Sequence, residues 1–102
     1  MKVKTTKILN MDKVYIITSE YVQHGMTFNR KRRYFKDLDK AMQVFDETVN
    51  AMKEDNTDMV KDKENYKIEK GGQKGGKFFY CYYKYQPQVS NFSVEMDTEN
   101  LE

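Results

Sequence analysis

"KDLDKAMQVFDETVNAMKED", Lys36 to Asp55, is the stretch that decides the fold. Leu38, Met42, Phe45, Val49 and Met52 recur at steps of four, three, four and three, the spacing that lines side chains along one stripe of an α-helix. Ala41 and Thr48 widen that stripe, while Lys40, Gln43, Asp46, Glu47 and Lys53 fall on the other side. Asp37 is placed to cap the helix N-terminus, and Asp39 puts negative charge in the first turn, where the helix dipole favours it. Phe35 is positioned to pack back on that turn as a hydrophobic staple. A helix apolar on one side only needs a layer to lie on, and the flanking sequence supplies a sheet.

Upstream, "KVYIITSEYV" (Lys13 to Val22) is dense in β-branched and aromatic residues, with no helical stripe. Apolar residues alternate into both faces, which predicts an interior strand. "QHG" at Gln23 to Gly25 reads as a turn, and "MTFNRKRRYF" (Met26 to Phe35) returns as a second strand. Lys2 to Leu9 reads as a further edge strand. Downstream, Asp55 to Asn65 lacks periodicity and reads as a linker. "YKIEK" then gives a short strand, "GGQKGG" a glycine loop, and "KFFYCYYKYQ" a long strand ended by Pro87. "VSNFSVEM" alternates one face in and one face out as a last strand, and residues 97–102 read as a frayed acidic tail. The expectation is one α+β domain: an antiparallel sheet of four to five strands with one amphipathic helix on one face, in the order β-β-α-β-β-β. One helix covers one face, leaving the other to solvent or a partner.

Bulk properties bound the function. The chain has 102 residues, a net charge of +2, eight Tyr, six Phe and no Trp. Its charge is laid out in blocks: +7 over residues 1–36, −5 over 37–64, +4 over 65–86 and −4 over 87–102. A single cysteine, Cys81, excludes an internal disulfide and suits a cytoplasmic protein. No apolar run is long enough to span a membrane or form a signal peptide.

The string Gly71 to Lys77 matches most of a phosphate-binding loop, Gly-x-x-x-x-Gly-Lys. Such a loop joins a strand to a helix and ends in Ser or Thr for magnesium. Here Phe78 follows and the next stretch is strand, so the expectation is a hairpin turn and no nucleotide cofactor. His24 and Cys81 form no recognisable catalytic pair, and no His/Cys cluster has metal-site spacing. The chain therefore reads as non-enzymatic, without metal or cofactor.

Two features point to binding. "RKRR" (Arg30, Lys31, Arg32, Arg33), with Lys36 close by, suits phosphates, RNA bases or an acidic protein surface, against the plainer reading of a solvated strand end. Strict alternation would put Arg30 and Arg32 on one face with Met26 and Phe28, and Lys31 and Arg33 on the other. Tyr80 and Tyr82, among lysines that include Lys77 and Lys84, suit a stacking platform or a protein interface, or are simply good strand residues. The RNA-recognition sheet motif has the order β-α-β-β-α-β, needing a second helix, and a basic-Gly-aromatic spacing that "GGKFFYCYY" does not meet.

The combination of the "KVYIITSEY" hairpin, the "F-x-D-L-D-K-A-M-x-x-F" helix and the Tyr-rich strands resembles small accessory proteins of bacteriophages and mobile elements. Some of these are inhibitors that block host defence machinery by occupying a site. The resemblance is architectural. It implies a non-catalytic binder and assigns no functional residue. The leading expectation is a module that engages an acidic protein surface or nucleoprotein complex through a basic, Tyr-rich sheet surface. Direct nucleic-acid binding, and a homodimer that buries the open sheet face, stand as alternatives.

Overall fold

The computed structural model describes residues 13–100. The elements are β1 (Lys13–Gln23), β2 (Met26–Phe35), α1 (Leu38–Asp55), α2 (Thr57–Lys61), β3 (Tyr66–Gln73), β4 (Gly76–Tyr83) and β5 (Ser90–Asn100). The five strands form one antiparallel sheet in the order β2-β1-β5-β4-β3. Two hairpins, β1–β2 and β3–β4, thus flank a central β5. The α+β class and the single-helix cover are as the sequence predicts, with a second short helix added.

The β1–β2 turn is fixed by His24 and Gly25, both at positive φ (55° and 76°), which is the demand of a two-residue hairpin that follows strand twist. The α1 start also follows the sequence: Lys40 N–H donates to the Asp37 carboxylate at 3.1 Å. The buried centre of the helix is Ala41, Val44 and Phe45, so the stripe lies slightly off the expected line, and Leu38, Met42 and Met52 sit at its margins.

The core lies between α1 and the sheet. Ile17 of β1, Phe79 and Cys81 of β4, and Phe92, Val94 and Met96 of β5 pack under the helix. Phe79 and Phe92 stack with ring centroids 5.9 Å apart. At one end Gln23 Oε1 accepts from Ser90 Oγ at 2.9 Å, and Ser90 Oγ meets Tyr66 OH at 2.8 Å, a polar clamp across β1, β5 and β3.

Several boundaries differ from expectation, each for a reason outside the local sequence. The linker contains α2, which buries Met59 against the core. The glycine loop shrinks to Lys74 and Gly75, because Gly71, Gly72, Gln73 and Gly76 all pair in the β3–β4 ladder. β4 stops at Tyr83, well before Pro87; the next amide, Lys84 N–H, donates instead to Asn65 O at 2.8 Å. The supposed tail is not frayed over Asp97–Asn100, which extend β5 along Lys13–Ile16 of β1. The strand expected at 2–9 and the last two residues of the tail lie outside the described residues.

Candidate interaction surface

β2 is an edge strand, and nine of its ten residues are exposed. A β-bulge interrupts it. Asn29 and Arg30 together face Glu20, and Asn29 takes a positive φ of 53°, a conformation Asn tolerates better than most residues. The extra residue turns over the half of the strand before it. Met26 and Phe28 pair with Gln23 and Tyr21 on the helix side, with the Tyr21 and Phe28 rings 6.3 Å apart. They therefore share the side of Lys31 and Arg33, not that of Arg30 as strict alternation implies.

The basic run divides in two. Arg30 and Arg32 lie on the bare face, where Arg30 Nε meets Glu20 Oε1 at 3.4 Å. Lys31 and Arg33 overhang a cleft of about 720 Å³ between β2 and α1. Ile17, Tyr21 and Met52 give this cleft an apolar floor, and Glu47 and Asp55 stand on its helical wall. Arg33 also rests over the Phe35 ring, 5.4 Å from its centroid. At an edge strand side chains of both faces reach the same rim, so all four cations border one edge that no other described strand pairs. Lys36 is exposed in the connection between β2 and α1.

Tyr80 and Tyr82 lie on the bare face of β4, stacked at 4.8 Å. Tyr82 donates to Glu69 Oε2 at 3.0 Å. Partial burial, then the charges of Glu69 and Glu20, push the Tyr80 phenol up from its ordinary value. Desolvation, then the Glu69 hydrogen bond and charge and the neighbouring Tyr80, push Tyr82 in the same direction. The influence of Glu20 on Tyr80 follows from register: Glu20 of β1 faces Ser93 of β5, which faces Tyr80 of β4.

This geometry separates the tyrosines from the arginines. β2 and β4 are three strand spacings apart, about 14 Å. Between them the face away from α1 carries Glu20 on β1 and Glu95, Asp97 and Glu99 on β5, and also Val14, Ile16 and Val22 of β1, which are buried. The structure brings Arg30 to Arg32 and Tyr80 to Tyr82, but not one pair to the other. Lys77 points to the helix side, 5.3 Å from the Phe45 ring centroid, and Lys84 lies just beyond β4. A second cluster of cations, Lys53, Lys70 and Lys77 around one cleft, escaped the sequence reading. Its signal was available in part, since Lys70 and Lys77 fall on one face once the hairpin register is known.

Cys81 is completely buried, and burial pushes its thiol up to about 11. Among the described residues no group of three or more His, Cys, Asp and Glu side chains is arranged to hold a metal ion. No described helix is long and apolar enough to cross a membrane. No family model, no curated protein and no solved structure matches this chain.

Proposed function

We propose that this chain is a non-catalytic binding module that engages an acidic protein surface through the β2 edge and acts by occupying a site. The observation that carries the reading is an exposed edge strand with cations on both of its sides. An edge offers unpaired N–H and C=O groups to an incoming strand. Arg30, Lys31, Arg32 and Arg33 select what comes. Pairing β2 with its own copy sets like charges opposite each other, which is destabilising, whereas a carboxylate-bearing segment gains charge-assisted hydrogen bonds. The same mode of action fits the accessory and inhibitor class that the sequence resembles.

Direct nucleic-acid binding on the sheet has less support. A stacking platform needs several cations beside its rings. Next to Tyr80 and Tyr82 this face offers Lys67 opposite Tyr82, already 3.8 Å from Glu69, while β5 sets Ser93 and Asn91 beside the rings and Glu95 beside Phe78.

The test is fluorescence anisotropy with an extended Glu-rich peptide and a single-stranded oligonucleotide of equal charge, each titrated at several salt concentrations. The peptide should bind, and joint replacement of Arg30, Lys31, Arg32 and Arg33 by Ser should weaken it roughly thirtyfold, taking about 0.5 kcal/mol for each exposed ion pair. Tighter binding of the oligonucleotide with a steep salt slope would transfer the assignment to nucleic acid. An unchanged affinity in the quadruple variant would remove the β2 edge from the site.

A further inference from the structure

We propose that the cleft between α1 and the β3–β4 hairpin is an anion site for a small phosphate-bearing ligand, with the oligophosphate chain as the recognised group. The cleft has a volume of about 670 Å³, within the ordinary range for small-molecule sites. Three elements each deliver one lysine to it: Lys53 from α1, Lys70 from β3 and Lys77 from β4. Hairpin register places Lys70 opposite Phe79 and Lys77 opposite Gly72, all on the helix side of the sheet.

Two of these ammonium groups are held in place by rings. Lys53 Nζ lies 5.6 Å from the Phe79 centroid and Lys77 Nζ lies 5.3 Å from that of Phe45, and both rings are buried. The compensating negative charge is thin. Among the described residues Asp46 is the one carboxylate lining the cleft, and it reaches Lys77 only at 4.0 Å. Lys53 and Lys70 have no carboxylate within ion-pair distance among those residues. Three like charges around one cavity repel, and a multiply charged anion relieves all three at once.

The hairpin wall is bare backbone. Gly71 and Gly72 line the cleft without side chains, and Gly72 has a φ of +98°. A Cβ there would run into the Gly76 carbonyl oxygen. Among the described residues β3 is also an outer strand, so half of its amide groups have no strand partner there and are open to an acceptor. This is not a phosphate-binding loop, because no helix follows the turn. Convergent lysine side chains from three elements supply the recognition.

Thermal unfolding with tripolyphosphate, against sodium chloride at matched ionic strength, tests the proposal. Tripolyphosphate should raise the melting temperature while chloride does not, and the Lys53→Gln/Lys70→Gln variant should lose the rise. The β2 quadruple variant should keep it, which separates this site from the proposed function. Equal rises with both salts, or a rise that survives in the double variant, would overturn the proposal. So would an oligonucleotide that needs these lysines while tripolyphosphate has no effect. Should the double variant fail to fold, amide shifts of Gly71 and Gly72 in the unaltered protein on titration decide it: movement supports the site, and no movement overturns it.

Discussion

Phe78 and Phe79 are neighbours in sequence that the sheet sends to opposite sides, and truncating each to Ala tests the one-sided cover directly. Phe79 is 4% exposed, stacks on Phe92 and sits under α1. Phe78 is 41% exposed on the bare face. Losing the Phe79 ring forfeits up to about 3 kcal/mol of transfer free energy, and the cavity left beneath the helix brings the total to about 3–5 kcal/mol. Among the described residues no packed layer lies over Phe78, so no closed cavity forms and the cost stays below about 1.5 kcal/mol. Urea unfolding followed by circular dichroism reads the difference. With a denaturant slope of about 1.5 kcal/mol/M, the two midpoints should differ by at least about 1 M, Phe79→Ala being the lower. Coincident midpoints would mean that the sheet is covered on both sides or on neither, and the account of the core would fail.

Cys81 should resist thiol reagents in the native protein and react fully once unfolded. Because its folded value of about 11 lies above the ordinary thiol value, its contribution to stability is complete below about pH 9 and declines as pH rises toward 11. Tyr80 and Tyr82 are raised too and act in the same sense, so the comparison is with Cys81→Ala, whose alkaline loss of stability should be shallower. Gly72→Ala should lower stability by about 1–3 kcal/mol, through positive φ and collision with the Gly76 carbonyl. At Gly71 a Cβ would meet only the Phe78 ring, at 3.4 Å, so Gly71→Ala should cost under about 1 kcal/mol, both glycine variants being read by the same urea unfolding.

What could be read from the sequence was what local chemistry determines. The amphipathic helix, with its buried line shifted to Ala41, Val44 and Phe45, the Asp37 cap, the Gln23–Gly25 turn and the two-sided apolar pattern of β1 all reappear in the structure. What could not be read depends on partners distant in the chain. The bulge at Asn29 exists only relative to Glu20 on the facing strand, yet it decides which side Met26 and Phe28 take. Asp97–Asn100 carry a polar sequence and become strand because β1 pairs with them. The separation of Tyr80 and Tyr82 from Arg30 and Arg32 follows from strand order, which no local pattern encodes. α2 is only five residues long and has one buried methionine, too little to register as a period.

The place of β5 has a consequence for how the molecule comes together. Each hairpin closes over a short span, but neither touches the other until the last described strand slides between them. Both hairpins must then wait with an unsatisfied inner edge, and the Phe79 and Ile17 side chains stay wet until Phe92, Val94 and Met96 arrive. Assembly of this chain should therefore be limited by one late zipping event spanning most of its length, and a stop ahead of Ser90 should leave two hairpins tethered through the helical connection but sharing no sheet, rather than a smaller version of the same protein.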